Sequence, residues 1–112
     1  MEVIVDIIDA GNDGLSAAGS IDISGGSLDI RAYDDGIHSD GSVTVTGGNI
    51  DIRDCFEGIE AVTIDISGGK ISIVPIDDGM NATVKAGMET WIRISGGDLR
   101  IVNPEALDTD GL

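Results

Sequence analysis

Apolar and polar residues alternate with a period of two in short segments separated by Gly, Asp and Asn. Clear examples are IDIS (21–24), LDIR (28–31), VTVT (43–46) and NIDIR (49–53). Successive side chains of a β-strand point to opposite faces, so this alternation places the apolar set on one face. The pattern therefore predicts short β-strands that are each buried on one side.

The segments recur at a fixed period. Residues 11–32 align without a gap on residues 33–54, at a period of 22. Residues 55–76 keep the same order but lack one residue after Glu60, residues 77–104 contain an insertion at 82–91, and residues 105–112 begin another unit. Each unit holds three strand candidates and cannot bury its apolar face alone, whereas stacked units share a core. We expect residues 1–112 to form one all-β unit, a parallel β-helix of about five coils of roughly 22 residues.

The positions predicted to face the interior repeat from unit to unit. They are Leu15, Ile21, Ile23, Leu28 and Ile30; Ile37, Val43, Val45, Ile50 and Ile52; Ile59, Ile64, Ile66, Ile71 and Ile73; Met80, Ile92, Ile94, Leu99 and Ile101; and Leu107. Gly-Gly pairs before the third strand predict a tight corner with positive φ. An antiparallel meander or sandwich is the alternative, because Gly-Gly also suits a hairpin. A meander, however, does not require every third strand to recur in register.

The charge and composition of the chain limit the classes of partner that it could bind. The formal net charge is −15, from 21 acidic and 6 basic residues, which argues against nucleic acid and favours cations. The start, MEVIVDIIDA, lacks the basic region of a signal peptide, and no segment has the roughly 18–20 apolar residues of a membrane span. We therefore expect no signal peptide in this chain and no membrane insertion. The single cysteine, Cys55, excludes an internal disulfide and a Cys-rich zinc site.

Stacked repeats also align their acidic residues. Asp13, Asp35, Glu57 and Asp78 each precede a Gly near the start of a repeat, and Glu105 holds the equivalent position before Ala106. Carboxylates about 4.8 Å apart repel one another unless they are hydrated, protonated or bound to a cation. Clustered oxygen ligands favour Ca²⁺, and a single histidine and a single cysteine argue against a transition metal.

These columns predict Ca²⁺ at the Asp-Asp-Gly corners. The predicted ligands are Asp35, Glu57 and Asp78, assisted by Asp13, Asp34, Glu60, Asp77 and Asn81. The alternative is that Asp-Asp-Gly and Asn-Asp-Gly form ordinary solvated turns, since Asp and Asn start turns readily. His38 is expected to be an exposed turn residue rather than a ligand. Arg31 and Arg53 should stack beside Asp29 and Asp51 as ion pairs, although they also suit an acidic ligand.

The blocks DDGIHSDGSVTVTGGNIDI, EGIEAVTIDISGGKISI and DDGMNA resemble a bacterial family of carbohydrate-binding domain-containing β-helix proteins, over residues 11–111. The resemblance implies a right-handed parallel β-helix shaped like a pectate lyase, Ca²⁺ binding, and binding of cellulose or a uronate-containing polysaccharide. It also implies an extracellular or cell-surface location for the parent protein. It implies no established catalysis.

This chain departs from the family pattern in two ways. It offers fewer coils than a complete domain of that kind, and the insertion at 82–91 replaces a regular corner. We expect flanking domains or end-to-end association to cover the strand edges and the core at the open ends of the solenoid. Two other functions remain open from the sequence: a polysaccharide lyase-like enzyme acting on acidic glycans, and a structural or adhesin spacer segment.

Overall fold

The chain folds into short parallel strands. The computed structural model describes the backbone of residues 2–10, 12–102 and 107–109, and the side chains of residues 12–102. Within these residues there are fourteen strands and no helix, hence no helix that could cross a membrane. The strands are β1 (Glu2–Ala10), β2 (Leu15–Ala17), β3 (Ser20–Ile23), β4 (Gly25–Ala32), β5 (Ile37–Ser39), β6 (Ser42–Val45), β7 (Asn49–Cys55), β8 (Ile59–Ala61), β9 (Thr63–Ile66), β10 (Lys70–Pro75), β11 (Met80–Ala82), β12 (Trp91–Ile94), β13 (Asp98–Ile101) and β14 (Leu107–Thr109).

Equivalent strands of successive repeats lie side by side in three sheets. Sheet A has the order β1-β4-β7-β10-β13, sheet B the order β2-β5-β8-β11-β14, and sheet C the order β3-β6-β9-β12. Every pairing is parallel. Leu28, for example, pairs with Ile50, which pairs with Ile71. The predicted all-β parallel solenoid is thus confirmed, and the antiparallel alternative is wrong.

The prediction of about five coils is wrong. The described residues form about three regular turns of about 22 residues: β2–β4, β5–β7 and β8–β10. After β11 the insertion interrupts the repeat, because residues 83–90 contain no strand before β12 begins at Trp91. β1 and β14 each add one strand to a sheet rather than a whole turn. The sequence count of five included the interrupted unit 77–104 and the partial unit 105–112 as coils.

The core is a stack of β-branched side chains. Ile30, Ile37, Ile52, Ile59 and Ile73 are fully buried at 0% exposure, and the predicted inward positions of the second and third turns are all buried. Ile94 contradicts the prediction because it is 43% exposed. Its strand, β12, is the edge of sheet C among the described strands, so no neighbouring coil covers it there. The side chain of Leu107 lies outside the described residues.

The Gly-Gly corners have the predicted positive φ. Gly48 has φ of 98° and Gly69 has φ of 91°, a conformation that L side chains rarely adopt. Asp54 is the exception among non-glycine residues described, with φ of 56°, and it lies where the register between β7 and β10 shifts. Asp54 is therefore the extra residue of a β-bulge in β7, and a bulge bends the strand and changes the direction of its side chains.

Candidate metal centre

The acidic column lies at the corner where sheet A leads into sheet B. Asp35, Glu57 and Asp78 stand two residues before β5, β8 and β11 respectively. The amide of Gly36 donates to the carbonyl oxygen of Glu57 at 2.9 Å, and that of Gly58 donates to the carbonyl oxygen of Asp78 at 3.0 Å. These bonds place the three acidic residues one above another. Their exposures are only 3%, 8% and 3%, so they are buried rather than solvated turn residues.

The glycine of each corner allows this burial. A Cβ atom at Gly58 would collide with the side chain of Ile73 and the carbonyl oxygen of Gly79. A Cβ atom at Gly36 would meet Ile52 and the carbonyl oxygen of Gly58 in the same way. Only glycine lets the coils approach this closely, and the close approach brings the neighbouring carboxylates together.

Among the residues that the structure describes, three overlapping groups of ligand atoms follow the column of acidic residues. They are Asp13, Asp35 and His38; Asp35, Glu57 and Glu60; and Glu57, Asp77 and Asp78. Within each group, the ligand atoms all lie within 4.8 Å of one another. Adjacent groups share Asp35 or Glu57, so six of the eight predicted ligands are brought together in one ladder.

The other two predicted ligands differ from each other. Asn81, on β11, is buried at 4% exposure and lies in register with Glu60 of the neighbouring strand β8. Its side chain hydrogen-bonds to Glu57. Asp34 is exposed and belongs to none of the three groups, so the structure does not bring it into the ladder. Asp13 has a local role as well, because its Oδ1 accepts a hydrogen bond from the amide of Asp35 at 3.1 Å.

Burial and mutual repulsion make the central carboxylates weak acids. Burial, followed by the charges of Glu60, Asp34 and Glu57, raises the pKa of Asp35 to about 8. Burial also raises the pKa of Glu57 to about 7, although its hydrogen bond with Asn81 acts in the opposite direction. Oε2 of Glu57 is buried and has no hydrogen-bond partner among the described residues. Such an oxygen needs either a proton or a cation.

His38 belongs to this site, which the sequence prediction missed. It lies on β5 with a side chain only 24% exposed. Its Nδ1 is 2.9 Å from Oε1 of Glu60 and 3.4 Å from Oδ2 of Asp35, and its Nε2 is 3.1 Å from Oδ1 of Asp40. Burial acts to lower the pKa of His38, but the hydrogen bond to Asp40 and the charge of Glu60 outweigh it, and the pKa is raised. The signal was the repeat alignment, which puts His38 directly opposite Glu60.

The donor chemistry separates the three groups. The group of Asp35, Glu57 and Glu60 offers carboxylate oxygens only, with an unpartnered buried oxygen on Glu57. Hard divalent cations such as Ca²⁺ prefer oxygen donors in a flexible arrangement. The group with His38 includes an imidazole, which hard cations bind poorly and which supplies its own positive charge when protonated. The group of Glu57, Asp77 and Asp78 also offers carboxylate oxygens only, so the two groups that share Glu57 fit Ca²⁺ better than the group with His38.

Comparisons with known proteins agree with this fold. A family model for carbohydrate-binding domain-containing proteins matches residues 4–111. A gadolinium derivative of the polysaccharide lyase-like protein from C. thermocellum is similar in structure, with 25% sequence identity and a TM-score of 0.69 over 96% of this chain and 47% of that chain. The chain thus spans about half the length of that protein, and comparison with curated proteins gave no match. Because the family model covers nearly every residue, this chain belongs to the carbohydrate-binding domain-containing family.

Proposed function

We propose that this chain is a non-catalytic, Ca²⁺-dependent polysaccharide-binding module built on a right-handed β-helix. Its ligand class is cellulose or an acidic polysaccharide, and its parent protein acts outside the cell or at the cell surface. Family membership supports the polysaccharide. The observation that carries the Ca²⁺ dependence is the all-oxygen group of the buried Asp35 and Glu57 and the half-buried Glu60.

In this proposal the ladder of acidic residues holds the ions. Asp35, Glu57 and Glu60 form the central site, and Asp13, Asp77, Asp78 and Asn81 extend it along the corner. Asp34 contributes charge from the surface. A bound cation offsets the repulsion between coils and part of the net charge of −15.

Thermal melting with Ca²⁺ and with a chelator tests the metal. A cation that binds only the folded state at 100 times its Kd adds about 2.7 kcal/mol of stability, which raises the Tm of a domain of this size by roughly 10 °C. We expect that rise with CaCl₂, and a much smaller one with NaCl at matched ionic strength. An identical Tm in CaCl₂ and in chelator would refute the Ca²⁺ site.

Retention on polysaccharide tests the binding function. We expect the chain to bind cellulose or polygalacturonate in Ca²⁺ and to elute in chelator. A glycan array on which neither the Ca²⁺-loaded nor the chelated chain binds any sugar would favour the structural or adhesin spacer instead. If the protein stays bound to the polysaccharide in chelator, sugar binding does not depend on the metal.

A polysaccharide lyase acting on acidic glycans is the second candidate. One specific observation favours it, namely that the similar structure from C. thermocellum is a polysaccharide lyase-like protein. Such a reaction needs a cation to acidify the proton beside the uronate carboxylate and a base to remove it. Incubation with polygalacturonate distinguishes the two: we expect no rise in ultraviolet absorbance, whereas accumulation of unsaturated products would establish catalysis.

A further inference from the structure

The last described coil of the solenoid exposes core side chains that the middle coils bury. Ile64 and Ile71 of the third turn are 0% and 1% exposed, whereas their equivalents one coil on, Ile92 and Leu99, are only half-buried. Ile94 of the same coil is exposed. We call the edges of β12, β13 and β14 the C-terminal end of the solenoid, and those of β1, β2 and β3 the N-terminal end. At the C-terminal end, the described strands leave part of the core uncovered.

The N-terminal end is also open. Leu15 is half-buried there, although its equivalent one coil on, Ile37, is fully buried. A groove of ≈ 310 Å³ lies on the edge strands β2 and β3, and it is lined by Leu15, Ser16, Ala17, Ser20, Ile21 and Asp22. Burial of apolar surface is favourable in rough proportion to the area removed from water. Each end is therefore stabilised when another apolar edge covers it.

The strand edges at the two ends form steps that fit each other. At the N-terminal end, β1 extends sheet A one strand beyond the described strands of sheets B and C. At the C-terminal end, β14 extends sheet B one strand beyond the described strands of sheets A and C. A second copy stacked on the same axis can place its β1 beside β13 and its β2 beside β14, with every pairing parallel. Unpaired edge strands are templates for such pairing with another chain.

Two outward columns of residues change the sign of their charge from one end to the other. The column in sheet C consists of Asp22, Thr44, Asp65 and Arg93. The column in sheet A consists of Asp29, Asp51, Ser72 and Arg100. Each column has an aspartate in the first turn and an arginine in the last described coil. Head-to-tail stacking therefore directs arginine towards aspartate in both columns, whereas two identical ends would bring like charges together.

The side chains of these columns are able to meet across the junction. In the stack described above, Arg93 lies two coil spacings, about 9.6 Å, from Asp22 of the next copy, which a long arginine side chain and a carboxylate can span. The side chain of Arg93 is 62% exposed, and its contact with Asp65, 3.6 Å from Nη1, leaves other guanidinium donors for a second carboxylate. In the sheet A column, Oδ1 of Asp29 is buried and has no hydrogen-bond partner among the described residues.

We propose that this chain associates head to tail, with the C-terminal end of one copy against the N-terminal end of the next. The inference is independent of polysaccharide and Ca²⁺ binding. Because each copy keeps one free end, the interface is heterologous, and copies add along the solenoid axis instead of closing at a dimer. The net charge of −15 opposes this association at low salt. At about 0.15 M salt, repulsion beyond about 8 Å is largely screened, while the shorter contacts at the junction remain.

Sedimentation of the full chain over a range of concentrations, in about 0.15 M NaCl, tests the proposal. We expect the average mass to rise with concentration past that of a dimer. Arg93→Glu and Asp22→Arg each place like charges across the junction, so each should weaken association about tenfold or more. An equal mixture of the two variants should associate like the wild type, because alternating copies pair opposite charges at every junction. Lys70→Glu is the matched control: it changes the net charge as Arg93→Glu does, but from an exposed position in the third turn, and should associate like the wild type.

Three results would overturn the inference. A wild-type mass that stays at the monomer at every concentration would show that the ends do not bind each other. A mass that stops at the dimer would mean that two identical ends meet. If both variants keep the wild-type Tm but their mixture associates no better than either alone, Arg93 and Asp22 do not face each other across the junction. The wild-type mass decides the proposal even where a variant fails to fold, and none of these results changes the tests of polysaccharide or Ca²⁺ binding.

Discussion

Glu57 is the residue whose replacement distinguishes a metal ligand from a structural acid. Its carboxylate belongs to two of the three ligand groups, and its Oε2 has no hydrogen-bond partner among the described residues. Glu57→Gln removes a buried charge, so in chelator at pH 8 we expect a Tm equal to or above that of the wild type. In Ca²⁺ the variant should lose most of the stabilisation, with an affinity at least about tenfold lower.

The control for this variant is Glu89→Gln, which removes the same charge from an exposed position in the insertion. It should keep the full Tm difference between CaCl₂ and chelator. A Glu57→Gln protein that also keeps that difference would show that the ion, if bound, lies elsewhere. Melting curves of the three proteins, recorded side by side, decide between these outcomes.

The raised pKa values of Asp35 and Glu57 predict how stability depends on pH. In the folded, metal-free chain they are about 8 and about 7, against ordinary values of 3.8 and 4.5. The folded state therefore retains protons that the unfolded state releases, and its advantage is lost as pH rises through the folded values. His38, whose pKa is also raised, acts in the same direction.

Without Ca²⁺ we therefore expect the Tm to fall between pH 5.5 and pH 8.5. Ca²⁺ competes with the protons for the same oxygens, so its stabilising effect should grow over that range and binding should release protons. Melts in chelator and in CaCl₂ at each pH check both trends. A metal-free Tm that is constant or rises with pH would contradict the assignment of these buried acids.

The sequence predicted most of this site because the repeat fixes which residues are neighbours. Once the period is known, Asp35, Glu57 and Asp78 must stack, and the structure confirms it. Burial was harder to predict, because it depends on how closely Gly36 and Gly58 let the coils approach. His38 was missed since a histidine beside a turn suggests exposure, whereas its environment is set by carboxylates on its own and the next coil.

At the scale of single strands and corners, Gly58 tests whether the close approach of coils is required. A Cβ atom there would collide with Ile73 and with the carbonyl oxygen of Gly79, while one at Gly19 would meet nothing within 4 Å. We expect Gly58→Ala to destabilise the fold by about 1–3 kcal/mol, and Gly19→Ala to change stability by less than about 0.5 kcal/mol. Urea unfolding measures both. Equal stabilities would show that the corner relaxes freely.

Strand positions were predicted better than the number of coils. Alternation of Val43, Thr44 and Val45 defines a strand wherever it occurs, and the burial pattern of β6 confirms it. The number of coils depends on which segments between the strands continue the repeat. Residues 83–90 of the insertion contain no strand, so they interrupt it. The exposure of Ile94 has the same origin, because a periodic pattern cannot show whether another strand covers it.

Over the whole molecule, the ladder of aligned acidic residues lies at the corner between sheets A and B. A cation that neutralises the ladder would reduce both the repulsion between coils and the repulsion felt by an acidic polysaccharide.

The stacked architecture also predicts how stability is distributed along the axis. In a solenoid each coil is stabilised mainly by its neighbours. β9 has neighbours on both sides, β6 and β12, and its Ile64 and Ile66 are fully buried. β12 is the edge of sheet C among the described strands, and its Ile94 is 43% exposed. Local opening should therefore cost less free energy at β12 than at β9.

Amide hydrogen exchange, followed residue by residue in Ca²⁺, measures this difference. We expect the amides of β12 to exchange at least about tenfold faster than those of β9, which corresponds to about 1.4 kcal/mol of opening free energy. The amides of β6, which also lies between two strands, serve as the internal control and should match β9. Equal protection in β9 and β12 would mean that the chain opens only as a whole, so that stability is shared across the stack rather than assembled from neighbouring coils.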